Sequence, residues 1–323
     1  MRIFLAGATG VLGRRIIPQL VHAGHQVTGA ARTPANQAML QRMGAASASV
    51  DLFAPATLAH AVRGHEAVVN LATHVPPSSR AFFPGAWRET DRIRRIGAVN
   101  LMNAALAGGA MRFIQESFAP IYPDQGEEWI DERAPVRPAR YNRGVIDAEA
   151  AAEHFTRSGG TGVVLRFAFL YGPDSEHTRD AVRLVRKGWA PTLGRPEGFI
   201  SSVSHDDAAA AVVAALAGGT GTYNVADDEP LRRRAFSDAL AHALGVSSPR
   251  LLPAWLTHVT GSVGELLGRS QRISNRKLRA ECGWSPRYPS VREGWRAVVR
   301  DLSEAAKSPS EEAAREPRRS HAR

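Results

Sequence analysis

Apolar and polar positions along the chain alternate between two periods. The opening run over 1–6 is short, apolar and ended by glycine. From Val11 onward, Leu12, Ile16, Leu20 and Val21 recur at the spacing of one helix face, which predicts a helix over 11–23. Pro18 lies inside it and predicts a kink. The pattern predicts further strands over 26–31, 48–50 and 67–71, with a helix over 55–62 between the last two. Helices over 91–107 and 146–157 each precede a strand, over 112–115 and 162–167. Strands alternating with helices predict a doubly wound parallel α/β sheet, covered on both faces. Beyond Tyr171-Gly172-Pro173 the alternation weakens. A helix over 178–187, a Gly/Pro-rich loop, a helix over 206–216 and a strand over 222–225 follow. Residues 230–300 carry helices and turns with little strand signal. The expected organisation is a sheet domain over 1–173, rejoined by 201–226, and a smaller helical lobe from 174–200 and 227–303. Residues 304–323 have no apolar period and are expected as a disordered tail.

Composition narrows the function classes. Of 323 residues, 44% are hydrophobic and 22% charged, which excludes general disorder. No stretch reaches the ~18 consecutive apolar residues of a membrane span, and no signal peptide is expected. The single cysteine, Cys282, excludes an internal disulfide and a cysteine-based metal cluster, and fits a cytoplasmic location. The formal net charge is +10, but the basic residues are mostly arginines spread along the chain. Without one basic run interleaved with aromatics, neither nucleic acid nor membrane is an expected partner. No metal is expected either. His205, Asp206 and Asp207 are adjacent and cannot all face one ion, and Asp206 reads better as a helix cap.

The strongest chemical signal is Gly7-Ala8-Thr9-Gly10-Val11-Leu12-Gly13, between the first strand and the first helix. Gly7 permits a tight turn, Gly10 lets the backbone approach a pyrophosphate, and Gly13 lets the helix pack closely. The helix N-terminus offers free N–H groups to the phosphates. Gly7, Thr9, Gly10, Val11, Leu12 and Gly13 are therefore candidate cofactor-binding residues. An NAD site usually places an acid after the second strand, for the ribose 2′-hydroxyl. Here Gly29-Ala30-Ala31-Arg32-Thr33-Pro34 has none. Arg32 can pair with a 2′-phosphate, so NADP(H) is the expected cofactor, with NAD(H) the alternative.

With these residues in place, the chain resembles the extended short-chain dehydrogenase/reductase superfamily, in its NAD(P)-dependent epimerase/dehydratase group. The resemblance spans about 1–300. It rests on the glycine turn, Asp51-Leu52, Asn70-Leu71-Ala72, Asn100 and Asn103, and the run from Leu165 through Phe167 to Pro173. It rests further on Val203-Ser204-His205-Asp206-Asp207, Tyr223-Asn224-Val225, Lys277-Leu278 and Gly283-Trp284-Ser285-Pro286. It implies a Rossmann sheet, with Asp51, Leu52, Leu71, Ala72 and Phe167 along the cofactor. It also implies a homodimer paired through the helices over 91–107 and 146–157.

The catalytic segment departs from this pattern. The family carries Ser or Thr after the fifth strand and Tyr-x-x-x-Lys on the next helix. Here Ser117 is kept, while Phe118 takes the neighbouring hydroxyl position. Tyr141 is kept, but Val145 stands where the lysine belongs. Residues i and i+4 share a helix face, so no other nearby position supplies that cation; Arg143 lies on another face. The phenol is then expected to stay near its ordinary ~10. A neutral phenol is a poor base for oxidation, yet it can donate a proton during carbonyl reduction. Ser117, Tyr141 and Glu116 are the candidate catalytic residues, with His74 and Tyr122 as substitutes. Trp87, Trp189, Phe82 and Phe83 are candidates for lining an apolar substrate pocket. The expected function is NADPH-dependent reduction of a small carbonyl or sugar-like molecule. A non-catalytic NADP(H)-binding sensor is the alternative, and the missing lysine argues against a nucleotide-sugar epimerase or dehydratase.

Overall fold

The computed structural model describes residues 1–83 and 85–315. Seven strands form one parallel sheet: β1 (Arg2–Ala6), β2 (Gln26–Ala30), β3 (Ala46–Ala48), β4 (Ala67–Asn70), β5 (Arg112–Phe118), β6 (Thr161–Phe167) and β7 (Gly221–Val225). Their spatial order is β7-β6-β5-β4-β1-β2-β3. This is the doubly wound Rossmann arrangement, and the order reverses beside β1, between β2 and β4. In such sheets the ligand crevice lies outside the carboxyl ends of the strands at the reversal.

The helices are α1 (Gly13–His22), α2 (Pro34–Arg42), α3 (Pro55–Val62), α4 (Arg88–Arg92), α5 (Ala98–Ala107), α6 (Gly144–Arg157), α7 (Glu176–Arg186), α8 (His205–Ala215) and α9 (Arg233–Leu244). One core packs Ile16, Ile17 and Leu20 of α1 and Ala208 and Val212 of α8 against β1, β4 and β6. The other packs Leu58 and Val62 of α3, Leu101 of α5 and Phe155 of α6 against the opposite face. Strands buried on both sides explain why 67–69 reads as a short apolar run without alternation. The smaller lobe has its own core around Tyr171, Val185, Phe236, Leu240 and Trp295.

Several expectations needed correction. Helix α2 was not foreseen, because it buries only Leu40 and shows no apolar stripe. Its signal is local: Thr33 accepts a hydrogen bond from the Asn36 N–H, and Pro34 occupies the first turn. Strand β3 lies two residues before the predicted 48–50. The helix predicted over 91–107 starts at Arg88 and is interrupted by a π turn, Ile93–Gly97. Helix α8 is capped by Ser204 rather than Asp206, the serine hydroxyl accepting from the Asp207 N–H at 3.0 Å. The last helix, Val291–Arg315, runs through the first part of the expected tail. Residues 316–323 of that tail lie outside the described residues. Among the described residues, no helix is long and apolar enough to cross a membrane.

Candidate active site

The glycine turn closes on the end of β4. Gly7 has a φ of 80°, and a Cβ there would lie 2.6 Å from the Leu71 carbonyl and 2.9 Å from the Ala72 nitrogen. Only glycine allows that backbone-on-backbone contact. A Cβ on Gly13 would overlap the Ala8 carbonyl, so α1 sits directly on the turn. Gly10 is different: it is exposed, and a Cβ there would meet only the Gly7 carbonyl, at 3.2 Å. The turn thus leaves one open face, at Gly10, beside the start of a helix. Thr9 and Val11 are half-buried around it, while the Leu12 side chain points into the core.

The other expected cofactor residues are distributed around the same strand ends. Asn100 of α5 donates to the Leu52 carbonyl at 2.9 Å and ties down the Asp51-Leu52 loop. Asp51 is exposed and accepts from the Phe53 N–H. The Ala72 N–H donates to Asn70, whose amide donates in turn to Gln115 at 2.9 Å. Phe167 is buried in the core, so its side chain does not face the crevice. Arg32 is exposed at the end of β2 and makes no ion pair among the described residues. Asn103 is exposed.

Ser117 is not where a catalytic hydroxyl is needed. It is fully buried and donates to Glu149 of α6 at 2.5 Å. Glu149 receives a two-pronged ion pair from Arg166 of β6, at 2.8 and 2.6 Å. Arg166 also donates to the Tyr122 hydroxyl at 2.7 Å, and Tyr122 donates to Asn224 at 2.9 Å. Ser117 and Tyr122 therefore belong to an interior network that ties β5, β6, β7 and α6 together. Burial pushes the Tyr122 phenol up to about 12. This corrects the expectation that either residue could reach a substrate.

Tyr141 lies on a single 3-10 turn before α6 and packs against Trp87, ring centroids 4.8 Å apart. Burial pushes its phenol up to about 12, against the opposing pull of Arg94 and Arg269. The expectation of a nearly unshifted phenol is thus corrected: cations do stand near it, but desolvation outweighs them. Val145 is fully buried, and Phe118 packs edge-on against Phe169.

Glu116 is nearly buried and paired with Arg94 at 2.6 Å; Arg94 also donates to Asn142 at 2.5 Å. Arg94 and Glu149 had no signal in the sequence, since one sits among isoleucines and the other on a helix of mixed composition. The His74 side chain is exposed, while its carbonyl accepts from the Thr90 hydroxyl. Phe82, Phe83 and Trp189 are exposed; of the four proposed pocket aromatics, Trp87 stands against Tyr141. His205 contacts Asp174 at 3.1 Å, Asp206 pairs with Arg15, and Asp207 accepts from the Arg287 N–H. The three side chains thus have separate partners. Burial opposes ionisation of Asp174, but hydrogen bonds from His205 and Arg15 prevail and hold it well below the usual carboxylate range.

Comparison with known proteins supports a nicotinamide-binding fold. A family model described as NAD(P)H-binding matches residues 7–218. A 3-diazoavenalumate denitrifying reductase of Streptomyces is 34% identical over 304 residues, 91% of this chain and 99% of the relative. A 2-alkyl-3-oxoalkanoate reductase of Shewanella oneidensis is 25% identical, over 81% of this chain and 71% of the relative. The UDP-glucose 4-epimerase of Thermus thermophilus, solved with NAD, superposes with a TM-score of 0.76 at 25% identity, over 94% and 100% of the two chains.

Proposed function

Since the chain belongs to the NAD(P)H-binding family within the extended short-chain dehydrogenase/reductase superfamily, we propose that it is a nicotinamide-dependent reductase whose reaction needs no proton relay. One observation carries this reading. The glycine turn keeps an open face at Gly10, whereas of the proton-moving set only Tyr141 is kept. Val145 replaces the lysine, Phe118 replaces a hydroxyl, and Ser117 is tied to Glu149.

A bound reduced nicotinamide supplies a hydride, and a diazonium carbon that takes it loses dinitrogen and requires no proton. The denitrifying reductase of Streptomyces acts on a diazo compound, and a diazo acceptor suits the residues present here. This chain's part is then to hold the dinucleotide on the glycine turn and to exclude water around Trp87, Tyr141 and Phe118. Tyr141, neutral up to high pH, is spared as a base. A small carbonyl is the second reading. It is favoured by the retained phenol, which can still donate a proton, and by the oxoalkanoate reductase.

The test supplies purified protein with NADPH and either a benzenediazonium salt or a 2-alkyl-3-oxoacid. Tyr141→Phe is expected to keep at least half of the turnover of the diazonium salt. Loss of that turnover in Tyr141→Phe, or turnover of the oxoacid alone, would favour the carbonyl reading. Tight cofactor binding with no turnover of either would favour the sensor.

NADPH is the proposed cofactor, because Arg32 has no ion-pair partner among the described residues and no acid stands at the end of β2 to repel a 2′-phosphate. Arg32→Ala should cut the preference for NADPH over NADH by about tenfold, the size of one exposed charge-assisted contact. A titration in which the natural protein prefers NADH would reduce Arg32 to a surface residue.

A further inference from the structure

On the segment leading into α5 an arginine is buried and an isoleucine is not: Arg94 is 6% exposed and Ile96 is 48% exposed. Arg94 stands four and seven residues before the buried Ala98 and Leu101, the spacing of one helix face. The same segment contains a π turn, Ile93–Gly97, closed by the Ala98 N–H on the Ile93 carbonyl. Such turns are frequent at functional sites, and a local break in the apolar pattern points the same way.

Burying a guanidinium is costly unless it is paired. Arg94 has its partners, Glu116 and Asn142. Three buried polar atoms of this one cluster nevertheless have none: Arg94 Nε, Asn142 Nδ2 and Glu116 Oε2. Two are donors and one is an acceptor. The charges of Arg94 and Glu116 already cancel, so the cluster does not call for an ion. It calls for a neutral group that accepts from a donor and donates to the carboxylate, as a hydroxyl does. Tyr141, next to Asn142 in the chain, places an aromatic ring beside the cluster, and Trp87 packs against it at a tilt of 49°.

We propose that Arg94, Glu116 and Asn142 form a recognition site for a phenolic hydroxyl of the substrate. The hydroxyl donates to Glu116 Oε2 and accepts from Arg94 Nε or Asn142 Nδ2. The three atoms are shielded from solvent, so entry requires a neighbouring ring to turn, and the partly exposed Tyr141 is placed to do so. Placing this site in the substrate crevice rests on the reductase reading; the hydrogen-bonding argument does not.

The probes are phenol and anisole, which differ in the hydroxyl proton, titrated into the full chain with and without NADP⁺. Phenol is expected to bind at least about tenfold more tightly, the worth of a hydrogen bond to a charged group. The variant combining Arg94→Met with Glu116→Leu replaces the ion pair by apolar groups of similar size and should stay folded, although Asn142 then loses its hydrogen bond from Arg94. It is expected to lose the preference for phenol and to bind NADP⁺ as before. Asn142→Ala, which leaves the ion pair in place, should lower the preference at least threefold. Equal binding of the two probes to the natural protein would overturn the proposal, even if the double variant failed to fold. So would a double variant that keeps the preference, or one that loses NADP⁺ affinity, since the cluster would then hold the cofactor. Failure of the natural protein to bind NADP⁺ while still preferring phenol would contradict the reductase reading and leave the hydroxyl site standing.

Discussion

Gly10→Val is expected to leave the protein folded and to weaken binding of NADPH about a hundredfold or more. Gly10 does not occupy the left-handed region, and a Cβ there meets only the Gly7 carbonyl at 3.2 Å. Valine can therefore be accommodated by the chain itself. What it fills is the open face of the turn, where a pyrophosphate must come against backbone. Blocking that approach costs ~3 kcal/mol or more by overpacking and lost contacts. Gly7→Val provides the contrast. At a φ of 80° and 2.6 Å from the Leu71 carbonyl, a side chain disrupts the junction of β1 with β4, and the fold should fail along with binding. Circular dichroism with a fluorescence titration of NADPH separates the two outcomes. A folded Gly10→Val protein with unchanged affinity would remove the glycine turn from the cofactor site.

The second large effect concerns stability. Glu149→Leu should destabilise the protein by about 3–5 kcal/mol, because it strands the buried Arg166 guanidinium and frees Ser117. Against a typical total of about 5–15 kcal/mol, that is a large loss. Adding Arg166→Met removes the stranded charge and should recover most of it, although Tyr122 then loses one hydrogen bond. Denaturant midpoints of the single and double variants measure this directly. A single variant that loses less than ~1 kcal/mol would mean that water reaches Arg166 and that the network is not a closed interior.

The sheet and its cofactor turn were legible because their signals are local. Gly7, Gly10 and Gly13 lie within seven residues and each answers to backbone geometry. Short apolar strands announce burial on both faces. The rest depended on partners far away in sequence. Ser117 looks like a family hydroxyl until Glu149, 32 residues on, is found bonded to it. Tyr141 has no cation at i+4, yet Arg94 and Arg269 approach it from other segments. Arg94 gave no signal because a buried arginine is recognised by its partners, and Glu116 and Asn142 lie 22 and 48 residues away. Helix α2 was missed for the opposite reason, having caps but no apolar stripe.

Hydride delivery without a proton from Tyr141 is the central claim. The most direct measurement uses NADPH carrying deuterium at its transferable position, together with a benzenediazonium salt, in ordinary water. The expected product carries deuterium on the ring carbon that bore nitrogen, with the same incorporation in the natural protein and in Tyr141→Phe. Product bearing hydrogen from water at that carbon, or label transfer that disappears in Tyr141→Phe, would contradict it.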